Sequence, residues 1–345
     1  MNKYSSHPLH ALWNLAAAPM QVQALQQALK QRLFDQLTQP ASAATVARSL
    51  KLNAETVAIW LDMLWSMGLL HRHMGLNNAA PEYVATELAA QFFSEFSKQN
   101  CAAAWQVRAD FLAEFAQQWE PLLREGRQTA DAAQNSLLQQ RWAQAAREHL
   151  GQEQRVVSAP AVLSLLDRLP PLPQKGCFAD VGGGPGHVAV ALAQRLPGWQ
   201  GVVVEQAHTA DVAQETINAA KLGARLSIKE CDLNTGMGIG SGYDLIWCSS
   251  VLHFLHDPQA AVQNLYAALN PGGRLLLAHA ELSDDPAQAA LILPFYAGVM
   301  LRGGHLPRSG EISGWMQHAG FTNIRALGRI PWALAPIWVH TGHHA

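Results

Sequence analysis

The chain has 345 residues, 49% of them apolar and 14% charged, and a formal net charge of −2. That length exceeds one ordinary core, so two domains are expected, and the composition suits a globular protein that buries a large interior. The balanced charge leaves no excess of lysine and arginine to neutralise phosphates, which argues against a nucleic-acid partner.

The first stretch, MNKYSSHPLHALWNLAAAPM, faintly mimics a signal peptide, but His10 and Asn14 interrupt its apolar patch. No run of about 18 apolar residues lacks a polar break, so no membrane partner is expected. From residue 10 to about 100 the sequence reads as helices with short breaks. Leu25, Leu29, Leu33, Phe34 and Leu37 recur at helical spacing. A short helix (Ala44 to Leu50), a turn at Lys51 to Asn53 and a longer helix (Ala54 to Met67) follow, and Gly68 closes them. Leu69-Leu70 and the segment up to Tyr83 read as a small β wing. This is a winged helix-turn-helix pattern. Its second helix offers Thr56, Val57, Ile59, Trp60, Leu61 and Leu64 and no basic residue. DNA reading is therefore disfavoured against a structural or dimerising role.

Residues 100 to 165 read as further helix, and LPPLPQKG (169–176) as a proline-marked linker. Beyond it, CFADV, GVVVEQ, YDLIWCSS and RLLLAHAEL are short apolar runs separated by helical stretches. That alternation predicts an α/β fold with a Rossmann-like, doubly wound, mostly parallel sheet. The four cysteines form no C-x-x-C and read as free thiols in a reducing cytoplasm. The fifteen histidines show no H-E-x-x-H and no Cys/His spacing, so no metal is expected.

The segment FADVGGGPGH (178–187) places a glycine loop between a strand and a helix. A phosphate-binding P-loop needs G-K-[ST], which is missing. A dinucleotide fingerprint needs a third glycine where His187 stands, and Asp180 would face a pyrophosphate of its own sign. S-adenosylmethionine carries a sulfonium and an ammonium and no phosphate, so the same acid attracts it. Glu205, ending the next strand, can accept from ribose hydroxyls. Asp232, in KECDLN, can accept from an adenine amino group. The competing reading is structural glycines with capping acids.

With these motifs on the page, the chain resembles the class I S-adenosylmethionine-dependent O-methyltransferases of the plant caffeic-acid and acetylserotonin type and their bacterial natural-product relatives. LFDQL, ATVARSL and LLH match the N-terminal winged-helix module of that family, DVGGGPG its cofactor loop, LNPGGRLLLAHAEL its fifth strand and LPRSGEISGWMQHAGF its late region. The resemblance implies three segments. Residues 1–100 form a winged-helix dimerisation domain, 101–168 a helical linker with part of the substrate pocket, and 169–345 the cofactor-binding domain. It implies S-adenosylmethionine as cofactor, S-adenosylhomocysteine as product, a small-molecule acceptor and a homodimer. Asp180, Gly182, Gly183, Gly184 and Gly186 would line the methionine end, Glu205 and Gln206 the ribose, and Asp232 and Leu233 the adenine. Ser249 stands where some relatives place a lysine.

The resemblance also implies a histidine base within SSVLHFLHDPQAA. Counting back from AAL before the PGG turn selects His253; the aspartate that follows it selects His256. Glu281 matches a family glutamate that orients the base. A second family glutamate is replaced by Leu306, and Glu311 lies five residues on. Imidazole suits removal of a hydroxyl proton near neutral pH. Expected pocket walls are Trp142, Phe295, Tyr296 and Met300, with Phe111 and Phe115 as weaker choices and Trp13 as a contribution from a partner subunit. The expected activity is O-methylation of an aromatic or polyketide-like metabolite. Relatives on this scaffold that methylate nitrogen or carbon, or that do not methylate, and a regulator sensing the cofactor, are the alternatives.

Overall fold

The computed structural model describes residues 7–74, 80–126, 140, 142–235, 238–330 and 332–345. Two compact units divide between Ala109 and Asp110. In the first, helix α1 (His10–Lys30) gives way to a short α2 (Leu33–Gln36). The break is Arg32, whose φ of 52° is left-handed. Then come β1 (Ala41–Ser42), α3 (Ala43–Leu50), α4 (Ala54–Ser66), β2 (Leu70–His73), β3 (Glu82–Ala85) and α5 (Glu87–Phe93).

Local chemistry explains these boundaries. Ser42 Oγ accepts from Thr45 N at 3.2 Å and Asn53 Oδ1 from Thr56 N at 3.0 Å, so both helices begin on a side-chain cap. Gly68, at φ 74°, ends the second. The three strands pair in the order β1-β3-β2. Part of the expected wing, residues 75–79, lies outside the described residues. Leu33, Phe34, Val57, Leu61, Leu64 and Tyr83 form the core of this unit.

Helices α6 (Ala102–Ala116) and α7 (Trp119–Glu125) come next. Two π-helical turns, Ala146–Leu150 and Gln154–Ser158, precede α8 (Ala159–Leu166). The sheet region then runs β4 (Gly176–Val181), α9 (His187–Arg195), β5 (Trp199–Glu205), α10 (Ala207–Ala219), β6 (Leu226–Glu230) and β7 (Tyr243–Ser249). It continues through α11 (Pro258–Ala268), β8 (Leu269–His279), α12 (Pro286–Ala289), α13 (Leu293–Leu301), α14 (Glu311–Ala319), β9 (Thr322–Ile330) and β10 (Ile337–His343).

Seven strands pair in the order β6-β5-β4-β7-β8-β10-β9. The first five are parallel, and β10 runs antiparallel to both neighbours. This is the predicted mostly parallel α/β sheet. Its inner strands β4, β7 and β8 are apolar on both faces because each face is covered there. Phe178, Leu245, Trp247 and Leu276 belong to one core, while Ala179, Ile246, Cys248 and Leu275 belong to the other. The alternation is the period-two geometry of a strand. Sequence order reverses between β4 and β7, which opens a crevice at the carboxyl ends of these strands. No described helix is long and apolar enough to cross a membrane.

Candidate active site

The glycine loop leaves β4 at this crevice and feeds α9. Gly182, Gly184 and Gly186 all have positive φ, at 66°, 54° and 81°. Two close approaches demand the missing side chains. A Cβ on Gly182 would lie 2.2 Å from Val251 Cγ2, and one on Gly183 would lie 2.8 Å from Val203 Cγ1. Gly186 caps α9 and sits against Ala213 of α10. These glycines thus serve the packing of the fold as well as any ligand.

Three acids lie along the same edge. Asp180 is 2% exposed, and its Oδ2 is buried with no hydrogen-bond partner. Burial pushes its carboxyl up to about 7; a backbone hydrogen bond from Ala189 opposes this and the Glu205 charge adds to it. Glu205 closes β5 half-buried, accepting from Gly184 N at 2.9 Å and Gln206 N at 2.8 Å. Burial raises its pKa, and those two amides work against the rise. Gln206 is the N-cap residue of α10. Asp232 follows β6 and accepts from Asn234 N at 2.9 Å, in a turn that half-buries Leu233. Ser249 is the last residue of β7, paired with Ala278. A cation fits this edge: it would meet an unpaired buried carboxyl oxygen and lower the cost of ionising it. A pyrophosphate would not fit.

Gln154 was not singled out from the sequence. Its carboxamide nitrogen donates to Gly183 O at 2.9 Å, and its oxygen accepts from His187 N at 3.0 Å. It thus ties the loop to the first amide of α9. Burial, then the Arg155 charge, pushes His187 down to about 4. Ser250 was also missed. It has φ 55°, donates its N–H to Ala278 O at 2.9 Å and buries an unpartnered Oγ. This left-handed step turns the chain from β7 into the short helical turn Leu252–Phe254.

That turn carries His253, which is 5% exposed. Its Nδ1 lies 2.9 Å from Nε2 of His279, the last residue of β8. His279 in turn places Nδ1 2.7 Å from the carbonyl oxygen of Ala280. Here the expected arrangement needs correction. Glu281 does not take the Nδ1 position on His253. Its carboxylate accepts from His340 Nε2 and from Gly310 N at 3.3 Å, and His340 Nδ1 lies 3.2 Å from Ser313 Oγ. His279 and Glu281 are two residues apart, and the earlier residue is the one that reaches the base.

His256 is exposed and lines an open cleft of about 270 Å³ with Asp257, His305, Glu311 and Trp315. Asp257, the residue that made His256 attractive, caps α11 by accepting from Ala260 N at 2.9 Å. Glu311 accepts from His305 Nε2 at 3.0 Å and Arg308 N at 2.8 Å. Leu306 is buried, 3% exposed.

Aromatic rings gather around His253. Tyr296 meets it edge-on with centroids 5.2 Å apart, Phe254 lies at 3.9 Å, and Trp142 packs on Phe254 at 5.3 Å. Of the expected walls, Trp142 and Tyr296 thus enter this cluster. Phe295 is 36% exposed on α13, and Met300 packs on the main core. Phe115 packs on α13, within 2.6 Å of a Cβ built on Gly298, and its ring meets Phe111 at 5.4 Å. Trp13 lies in the other unit and is 69% exposed. Among the described residues, no three His, Cys, Asp or Glu side chains gather as metal ligands.

The fold is of the Rossmann-like α/β class, with the crevice at its switch point as the candidate site. A methyltransferase-domain family model matches residues 152–326, and a model of the O-methyltransferase dimerisation domain matches residues 13–95. The chain belongs to this methyltransferase family. It is similar to a 3-hydroxy-5-methyl-1-naphthoate 3-O-methyltransferase of Streptomyces sahachiroi, 29% identical over 154 residues, 43% of this chain and 44% of that one. An O-demethylpuromycin-O-methyltransferase of Streptomyces alboniger is 28% identical over 166 residues, 47% of this chain and 43% of that one. The chain therefore spans less than half the length of these curated relatives. Human N-acetylserotonin methyltransferase, solved in complex with SAM, shares the fold at a TM-score of 0.77 and 19% identity, over 100% of both chains.

Proposed function

We propose that this protein is an S-adenosylmethionine-dependent methyltransferase that methylates a hydroxyl group of a small aromatic or polyketide-like metabolite, with His253 as general base. The observation that carries the reading is the acid-and-glycine edge, where Asp180 buries an unpaired carboxyl oxygen beside the loop. The cofactor supplies a methyl group made electrophilic by its sulfonium. Asp180 and the four loop glycines hold the methionine end, Glu205 and Gln206 the ribose, and Asp232 and Leu233 the adenine, with Ser249 beside them. His253 takes the hydroxyl proton, and Tyr296, Phe254 and Trp142 supply a flat aromatic wall. The naphthoate and puromycin named for the two Streptomyces relatives support an aromatic acceptor. The dimerisation-domain match supports a homodimer. The free cysteines suit the cytoplasm.

Calorimetric titration with S-adenosylhomocysteine, with NAD as control, tests the cofactor. Micromolar binding of the first alone is expected; no binding overturns the assignment. A screen of hydroxyarenes by mass then tests the reaction, since O-methylation adds one CH₂. A second reading is a non-methylating enzyme on this scaffold. It is favoured by a histidine where a carboxylate was expected at His253 Nδ1. Product without the added mass would select it.

A further inference from the structure

The segment from Gly303 to Gly310 joins α13 to α14 and is fixed at both ends. At its start, Gly304 lies on the backbone of His253. A Cβ there would come within 2.5 Å of His253 O and 2.6 Å of Val299 Cγ1. The Gly304 N–H donates to Val299 O at 3.0 Å, just after a left-handed step at Gly303, φ 93°. At its end, the segment pairs with the residues that follow β8. Leu282 N donates to Pro307 O at 2.8 Å, and Ser309 N to Leu282 O at 3.0 Å. Gly310, at φ 91°, then donates its N–H to Glu281 Oε2 at 3.3 Å. Between the two ends, Leu306 is buried in the main core.

Glu281 is thus one of the points where the segment meets the sheet, and His340 decides where Glu281 stands. Both are 4% exposed. His340 Nε2 bonds Glu281 Oε1, and its Nδ1 lies 3.2 Å from Ser313 Oγ in the first turn of α14. A buried carboxylate that loses its partner is costly to keep in place. Without His340, Glu281 turns towards another partner, and Gly310 loses its acceptor.

Resting on the methyltransferase reading, we propose that His340 is a positioning residue for the transfer: it clamps Glu281, Glu281 holds Gly310, and the segment fixed in this way seats Gly304 against the backbone of His253. The resemblance put Glu281 on the base itself. Here it acts on the turn of chain that backs the base, and it needs His340 to do so. A misplacement of about 1 Å, caused far from the reacting atoms, can cost about 10²-fold in rate, which sets the scale of the effect.

Amide hydrogen exchange read by NMR tests the clamp with neither acceptor nor cofactor. In His340→Leu the amides of Gly304, Ser309 and Gly310 should exchange at least about tenfold faster than in wild type, while those of β4 and β5 keep their protection. His340→Gln, whose carboxamide can donate to Glu281 and accept from Ser313, should stay near wild type. Unchanged exchange at Gly310 in a folded His340→Leu overturns the clamp. Should that variant not fold, Glu281→Leu removes the same acceptor and is read in the same way.

Steady-state methylation of an acceptor from the mass screen separates positioning from plain structural support. His340→Leu should lower kcat by about 10- to 100-fold, with S-adenosylhomocysteine affinity within threefold of wild type. His340→Gln should recover most of the loss. The double variant His340→Leu with Glu281→Leu should be no slower than His340→Leu alone, because both changes act along one path. Losses that multiply in the double variant, or a normal kcat in folded His340→Leu, overturn the proposal. A wild type that binds S-adenosylhomocysteine and methylates nothing strikes the parent reading instead, and hydrogen exchange still decides the clamp.

Discussion

Gln154 bridges the two ends of the glycine loop, donating to Gly183 O at 2.9 Å and accepting from His187 N at 3.0 Å. One side chain thereby holds the loop in register with the helix that begins at His187. Gln154→Ala removes both contacts and leaves a part-buried carbonyl without its donor. Each bond is worth about 1 kcal/mol net. The expected result is S-adenosylhomocysteine affinity lower by about 10- to 30-fold and a melting point lower by a few degrees. Calorimetry and thermal unfolding measure both; an unchanged Kd would show that the loop holds its shape alone.

Asp180 should make ligand binding depend on pH. Its folded pKa of about 7 lies above its ordinary value. In the free protein, the stability linked to its protonated form is therefore fully present below about pH 4 and is lost as pH rises through 7. A ligand ammonium beside the carboxyl favours the ionised form. Binding should release a proton below pH 7, and affinity for S-adenosylhomocysteine should fall by up to about tenfold per pH unit from 7 towards 5. Glu205, shifted in the same direction, adds to the trend. Titration in buffers of different ionisation enthalpy counts the proton. Asp180→Asn should flatten the profile and weaken binding at pH 8; a flat wild-type profile would place the cation elsewhere.

Two histidines, His187 and His279, act in the opposite sense on stability. His187 and His279 have folded pKa values of about 4, depressed by burial. Neutral in the fold and protonated in the unfolded chain, they contribute stability above about pH 6.5 that is lost as pH falls towards 4. Urea unfolding between pH 7 and 4.5 should show this loss. His187→Gln should reduce the slope by up to one proton, and an unchanged slope would mean that His187 is solvated in solution.

His253 and His256 separate on activity. His253 lies in the aromatic cluster and is bonded to His279, whereas His256 is exposed on an open cleft. His253→Ala should cut kcat by about 10²- to 10⁴-fold, with S-adenosylhomocysteine affinity within threefold of wild type. His256→Ala should stay within about twofold. Steady-state kinetics on any acceptor found in the mass screen decide this, and the reverse pattern would move the base to His256.

Much of this arrangement was legible in the sequence because it follows from local periodicity. The alternating runs gave the parallel strands, and Asn53 and Gly68 marked the ends of α4 through capping chemistry. What escaped depends on contacts between residues far apart. His279 and Glu281 share strand parity, so spacing alone cannot say which one meets His253. The register of β8 against β7 and the turn at Ser250 decide it. Gln154 lies 29 residues before Gly183, in a π-helical turn that no pattern announces. Arg32 and Ser250 adopt left-handed backbone without being glycine, so neither break carried a compositional mark.

The first helix poses the last test. Among the residues of α1 only Leu25 and Ala28 are buried, both in its C-terminal half. Its N-terminal half leaves Leu12, Trp13, Leu15 and Met20 between 61% and 71% exposed. A helix in water has little intrinsic stability, and these side chains gain by being covered. Residues 13–95 match a dimerisation domain, so a second copy of this chain is the expected cover. Light scattering after size exclusion should give twice the 37.5 kDa chain mass. The double substitution Trp13→Glu with Leu15→Glu should shift the protein to the single-chain mass while the melting of the sheet-bearing unit persists. A wild-type monomer at tens of micromolar would leave this apolar surface without its partner and remove the homodimer; a variant that remains dimeric would move the interface off the start of α1.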